Sequence, residues 1–328
     1  MRVEPGLRAE EGLDAAYAGR KVLVLGASGF IGAWVAVRLA RLGCELWVTA
    51  RSREELDRAR SLLGFEGIAL ELDAAAPGAL EAAIASVAPD LVFNLIGYGV
   101  DRAERDEAVA AAVNDELVGR LISALPGRRT EWRGQSLIHV GSALEYGEAA
   151  GDLREETEPE ATTVYGRTKL AGTRRLARAA EAGLRATTAR LFTVYGPGEH
   201  PGRLLPSLLE ARRGAGRIAL SHGLQRRDFT YVDDVAQGLV RLAASEAVLP
   251  PVLNLATGRL RTVRHFVEVA ARELGIDAGR LGFGEIEVRR EEMAHDDVNL
   301  DRLRSALGWV PSTPIAEGVR RTAELVGG

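Results

Sequence analysis

The chain has 328 residues, 46% of them hydrophobic and 27% charged, enough to bury a large core in one large domain or two closely joined ones. Its 46 acidic and 42 basic residues leave a formal net charge of -4, so the summed field offers no attraction for nucleic acid or an anionic membrane. A single cysteine, Cys44, excludes an internal disulfide, and the five histidines lack metal-ligand spacing, so no metal is expected.

Residues 1–20 carry Arg2, Glu4, Arg8, Glu10, Glu11 and Asp14 without clear periodicity, which predicts a charged N-terminal arm rather than a signal peptide. No apolar run approaches the roughly 18 residues of a membrane helix, so the expected location is the cytoplasm, with no membrane partner. From Lys21 onward, short apolar runs alternate with amphipathic stretches. KVLVL leads into a glycine turn and WVAVRLARLG; ELWVTA is followed by REELDRARSLL, IALEL by GALEAAIASV, and LVFNLIG by DEAVAAAVNDELVGRLISAL. SLIHVGS precedes the stretch around YGRTKLAGTRRLARAAEAG, and TTARLFTVYG closes the series. Strands alternating with helices of this length predict right-handed crossovers, hence an α/β fold with a doubly wound parallel sheet of the Rossmann kind over residues 21–195. After Gly196 prolines and glycines become frequent, and residues 196–227 and 259–328 predict a smaller substrate-binding lobe over the carboxyl edge of the sheet. VLNLATG reads as a further strand, so 228–258 is expected to return to the large domain.

Gly26-Ala27-Ser28-Gly29-Phe30-Ile31-Gly32 follows the first strand and opens a helix. Glycine suits a backbone that must turn tightly and approach a pyrophosphate closely, while the helix amino terminus supplies donors and positive dipole. An NAD-binding fold carries Asp or Glu about 20 residues further on for the ribose 2′-hydroxyl. Here the second strand ends in Arg51-Ser52-Arg53 with no carboxylate at its tip, and arginine can hold a 2′-phosphate, so NADP is favoured and NAD is the alternative.

Tyr165 and Lys169 stand at i and i+4, on one face of a helix. A cation beside a tyrosine stabilises the phenolate and is expected to lower its pKa toward operating pH. Of the 42 basic residues only Lys21 and Lys169 are lysine, so a merely solvated charge at this position would be expected to be arginine. Ser142 ends the strand LIHVGS, placed to hydrogen-bond a substrate carbonyl or hydroxyl.

Three glycines spaced GxxGxxG together with Ser142, Tyr165 and Lys169 resemble the extended short-chain dehydrogenase/reductases, from about residue 20 to the end. RLFTVYGPG, RRDFTYVDDVAQGL, NLATG and LGWVPSTPIAEGV resemble the branch of nucleotide-sugar epimerases, dehydratases and 4-ketoreductases. That resemblance implies that Asp73 contacts the adenine and that Leu95, Ile96 and Gly97 line the cofactor, although NLIGYG departs from the usual pattern there. It makes Asn114 structural or part of a water relay, has Arg227 and Arg289 clamp a substrate diphosphate, and puts Thr193 where many relatives carry asparagine. It also implies a homodimer. Ser142-Ala143-Leu144 stands where dehydratases read Thr-Asp-Glu, which disfavours dehydration. The expected reaction is NADPH-dependent reduction of the C4 ketone of a nucleotide-linked 4-keto-6-deoxy sugar. The alternatives are a nucleotide-sugar 4-epimerase holding NAD tightly, and a non-catalytic NADP-sensing regulator.

Overall fold

The computed structural model describes residues 12–100, 104–125, 131–149, 151–287 and 295–327. In chain order, α1 (Leu13–Tyr17) precedes β1 (Lys21–Leu25), α2 (Phe30–Leu39), β2 (Glu45–Ala50), α3 (Arg53–Leu63), β3 (Ile68–Glu71), α4 (Ala79–Val87) and β4 (Leu91–Asn94). Next come α5 (Glu107–Ala111), a π-helical turn (Ala112–Glu116), α6 (Leu117–Ala124), β5 (Leu137–Ser142), α7 (Val164–Glu181) and β6 (Ala186–Leu191). The remainder runs β7 (Thr193–Tyr195), α8 (Leu204–Ala211), β8 (Ile218–Leu220), β9 (Arg226–Tyr231), α9 (Val232–Ala244) and β10 (Val252–Leu255). It closes with β11 (Leu260–Thr262), α10 (Val263–Leu274), β12 (Leu281–Phe283), α11 (Asp301–Leu307) and α12 (Ile315–Gly327).

Among the described residues the main sheet has seven strands in the order β10-β6-β5-β4-β1-β2-β3, all parallel. The period of two is visible in β1, where Val22 and Val24 enter one core and Leu23 and Leu25 the other. The first core lies between the sheet, α2 and α9, and the second beneath α4, α6 and α7. Between α2 and α9, Arg38 and Asp233 form a buried ion pair at 2.8 Å, and Trp34 donates to the Pro197 carbonyl at 2.9 Å. β10 lies beside β6 at the sheet edge.

The charged N-terminal stretch differs from a free arm over its described part. Tyr17 of α1 is fully buried, donates its hydroxyl to the Val240 carbonyl at 2.8 Å and packs on Trp132. One aromatic side chain with a partner for its polar tip is enough to dock so short a helix, and nothing in the periodicity signalled it.

Among the described residues there are also two smaller sheets, β11-β9-β7 and β12-β8. Asp228 of β9 is buried and accepts from the Thr257 amide and hydroxyl and from the Arg259 amide, tying the NLATG loop to the small sheet. Asp234 likewise accepts from the amides of Ser312 and Thr313 and from the Thr313 hydroxyl. Asp228 and Asp234 of RRDFTYVDD are therefore loop clamps, while Asp233 between them in the motif pairs with Arg38.

Candidate active site

The glycine turn, the ends of β2, β4 and β5, and the start of α7 meet at the carboxyl edge of the sheet. Gly26 adopts φ +79°, and its amide reaches the Thr49 hydroxyl at 3.2 Å. A Cβ on Gly26 would lie 3.2 Å from the Ile96 amide nitrogen, so the turn rests on Leu95 and Ile96. Gly29 is the N-cap of α2, and a Cβ on Gly32 would lie 2.1 Å from the Gly26 carbonyl oxygen. Only glycine lets helix and turn approach this closely, and Ser28, Phe30 and Ile31 complete the loop around the helix amino terminus.

At the tip of β2, Arg51 is 78% exposed, Ser52 caps α3, and Arg53 opens that helix on the surface. The tip itself carries no carboxylate, but Glu55, from the first turn of α3, reaches it, accepting from the Ser28 hydroxyl at 3.4 Å and from Arg51 at 3.2 Å. The spacing Ser52-x-x-Glu55 was the available signal, because a glutamate three residues after a capping serine tends to fold back toward the helix start. Asp73 is exposed, and its carboxylate accepts from the Ala75 amide at 3.1 Å, shaping its own turn.

From Ile96 the chain passes under Asn114, which is buried in the π-helical turn. Its amide group donates to the Tyr98 carbonyl at 2.8 Å and the Thr168 hydroxyl at 3.0 Å, and its oxygen accepts from the Tyr98 amide at 3.0 Å. Gly97 stands 3.7 Å from the same oxygen, measured from an added Cβ. The amphipathic stretch 106–125 is thus one helix with a π-bulge, a device that recurs at functional sites. Asn114 thereby ties the strip beside the glycine turn to helix α7.

Helix α7 is capped by Thr163, whose hydroxyl accepts from the Gly166 amide at 2.9 Å. A Cβ on Gly166 would meet the Leu144 carbonyl oxygen at 2.3 Å, and one on Gly172 the Asn114 carbonyl oxygen at 2.1 Å. Two glycines therefore let α7 lie backbone to backbone on the turn after β5 and on the π-bulge. That docking brings Tyr165 beside Ser142, whose side chain works to lower the phenol's pKa. Ser142 also accepts from the Leu144 amide at 3.2 Å, and Lys169, one turn beyond Tyr165, is 2% exposed.

The electrostatics correct one expectation. The Tyr165 phenol is pushed up to about 12, first by burial and then by the Glu145 carboxylate, against a lowering bond from Ser142 and the charge of Arg203. Lys169 is pushed down to about 8 by burial, with Glu145 opposing. The two groups are driven toward their neutral forms because both are desolvated, and Glu145 favours the lysine's charge at the expense of the phenolate's.

Glu145 is fully buried and accepts from the Ser142 amide at 2.8 Å, the Thr173 hydroxyl at 3.1 Å and Arg190 at 2.8 Å. Sequence reading missed it, although Ser142-x-x-Glu145 is the spacing of a capping box. Nearby, Asn94 accepts from the Ile96 amide, so its amide group faces His139 Nδ1 at 3.1 Å and places the ring proton on Nε2. Burial first, and the Lys169 charge second, hold that histidine well below its ordinary pKa. No second cation therefore competes with Lys169 from that side.

Ser142 of β5 stands opposite Leu191 of β6, two residues before Thr193, which pairs with Phe229 of β9. Arg227, half-buried two residues along β9, faces Arg261 of β11. Arg289 lies outside the described residues. Also missed by sequence reading was Glu199, after β7, 8% exposed and 3.7 Å from Arg203; burial pushes its carboxyl up to about 7, against the pull of Arg203 and a backbone bond from Gly196.

A glycine turn at a parallel sheet's switch point, with serine, tyrosine and lysine gathered across the cleft from it, defines a dinucleotide-dependent enzyme of the doubly wound class. Residues 22–256 match the model of the NAD dependent epimerase/dehydratase family, and the chain belongs to that family, as the extended short-chain dehydrogenase/reductase resemblance implied. It is 32% identical over 312 residues, covering 92% of this chain and 93% of the relative, to dTDP-6-deoxy-L-talose 4-dehydrogenase (NAD(P)(+)) of Kitasatospora kifunensis. Among solved structures it is similar to MoeE5 in complex with UDP-glucose and NAD, with a TM-score of 0.77, 26% identity, and coverage of 94% and 98% of the two chains. The fold is shared also with UDP-N-acetylglucosamine 4-epimerase from Methanobrevibacter ruminantium M1, with a TM-score of 0.81, 20% identity, and coverage of 94% and 98%. Among the described residues no helix is long and apolar enough to cross a membrane.

Proposed function

We propose that this chain reduces the C4 ketone of a nucleotide-linked 4-keto-6-deoxy sugar, with NADPH the preferred hydride donor. The observation that carries the reading is that Tyr165 and Ser142 face each other, close enough for Ser142 to lower the phenol's pKa, beside a buried Lys169. The dinucleotide supplies hydride when bound; the residues that would hold it are those of the Gly26–Gly32 turn, Leu95 to Gly97, Asp73 and Arg51. The turn fits a pyrophosphate because an added Cβ would strike backbone at Gly32 and approach it closely at Gly26, while the first amides of α2 have no acceptor within the helix.

Tyr165, protonated up to about 12, is the proton donor at neutral pH. As charge develops on the carbonyl oxygen, Ser142 and Tyr165 both donate to it, and the proton passes from the phenol. Lys169, charged below about 8, steadies the phenolate left behind. Arg227 and Arg289 would hold the diphosphate through their forked donors. Similarity to an enzyme named as a 4-dehydrogenase of a dTDP-6-deoxy sugar that uses NAD(P)+ supports both the position of attack and the substrate class.

A second reading, a 4-epimerase that retains NAD, draws on Glu55, a carboxylate acceptor beside the glycine turn. The test supplies purified protein with a dTDP-linked 4-keto-6-deoxyhexose and NADPH or NADH. Reduction predicts dinucleotide oxidation matched by a sugar nucleotide heavier by two hydrogens. Interconversion of C4 epimers without dinucleotide consumption would establish the epimerase instead, and no reaction of either kind would end both readings.

A further inference from the structure

Glu55 occupies a position that the tip of β2 by itself left without a carboxylate. Ser52 accepts from the Glu55 amide at 3.3 Å, which sets the first turn of α3 and directs the side chain back toward the glycine turn. One carboxylate oxygen lies 3.4 Å from the Ser28 hydroxyl and the other 3.2 Å from the Arg51 guanidinium. Glu55 is 25% exposed and Arg51 78% exposed. The carboxylate is thus held between the glycine turn and the tip of β2, whereas an ion pair that exposed holds its arginine weakly and lets it exchange partners.

We propose that Glu55 sets the choice between NAD and NADP, and that Glu55 and Arg51 together make the site accept both. This rests on reading the glycine turn as a dinucleotide site, and is independent of the sugar. A ribose 2′-hydroxyl is a donor, and a carboxylate is its natural acceptor. A 2′-phosphate is an anion that Glu55 repels and Arg51 attracts. When NADP binds, Arg51 exchanges Glu55 for the phosphate, and Glu55 keeps its bond from Ser28. When NAD binds, the pair stays closed and the spare acceptor capacity of Glu55 takes the hydroxyl. Glu55 therefore favours NAD and opposes NADP, and Arg51 does the reverse.

The experiment measures binding rather than turnover. Wild type, Glu55→Gln, Glu55→Asp and Arg51→Ala are titrated with NADH and with NADPH, following nicotinamide fluorescence. Glu55→Gln, which keeps the side-chain length and a carbonyl acceptor for Ser28, is expected to bind NADPH about tenfold tighter and NADH several-fold more weakly, the scale of one hydrogen bond to a charged group. Arg51→Ala is expected to lose about tenfold or more for NADPH and to hold NADH within about twofold. Glu55→Asp, withdrawn by one methylene, should fall between wild type and Glu55→Gln; thermal melts matched to wild type show that each variant is folded. Equal effects on the two dinucleotides, or none, overturn the proposal. Wild-type protein that binds neither overturns the reading of the site itself, whereas absence of sugar reduction with the selectivity shift intact leaves this assignment standing.

Discussion

Glu145 and Arg190 form an ion pair at 2.8 Å, with side chains 0% and 3% exposed, directly behind the serine that ends β5. The guanidinium also lies 4.4 Å over the Tyr146 ring. A pair buried this deeply stabilises little by itself, yet removing one partner strands a charge in the core. Glu145→Gln should therefore destabilise the protein by about 3–5 kcal/mol, read from denaturant unfolding. It also removes the charge that raises Tyr165 and supports Lys169, so the pH profile of any variant that stays folded should move. An unchanged profile would show that Glu145 is structural only.

Tyr165→Phe keeps the ring and removes the proton. Turnover should fall by about 10²–10⁴-fold, with dinucleotide affinity within about twofold of wild type. Retained turnover would remove Tyr165 from the chemistry.

Lys169 gives a test in which activity and stability move apart. Its folded pKa, about 8, lies below the ordinary 10.5, so the folded state resists protonation. Below about 8 both folded and unfolded chains carry the charge and the full cost is present; between about 8 and 10.5 the unfolded chain binds more protons, and stability rises with pH. Lys169→Met should abolish turnover yet melt higher than wild type at pH near 7, with the gap closing toward pH 10.5. Reduction by the wild type, which needs the ammonium, should decline as pH rises through about 8. A lower melting temperature for Lys169→Met at neutral pH would count against this account.

Glu199 has the opposite sign. Burial lifts its carboxyl from 4.5 to about 7, so between these values the folded chain binds more protons than the unfolded one, and stability falls as pH rises. Above about 7 the penalty is complete. Glu199→Gln should stabilise more at pH 8 than at pH 5, as paired thermal melts would reveal; an equal shift at both would rule out a buried ionising carboxyl.

Asn114 should couple fold and cofactor. Asn114→Ala leaves the backbone amide and carbonyl of Tyr98 without their partner, at about 1–3 kcal/mol for each buried group left unpaired, while the Thr168 hydroxyl keeps its bond to the Val164 carbonyl. Because Leu95 and Ile96 underlie Gly26, the variant should also bind dinucleotide more weakly. Loss of stability with unchanged dinucleotide affinity would separate the two roles.

Alternating apolar runs, the spacing of three glycines and the tyrosine-to-lysine interval were legible in the chain because each is a local pattern of one strand, one turn or one helix face. The parallel sheet follows from them, since strands separated by helices of that length can return only through crossovers. Only the tertiary structure decided which carboxylates matter. Glu55 meets Ser28 across 27 positions of sequence, and Glu145 meets Arg190 across 45. It decided, too, the direction of the Tyr165 and Lys169 shifts, because burial is a property of everything packed around a group and no motif contains it. A motif names the groups that can exchange a proton, and the surrounding chain sets the pH at which they do.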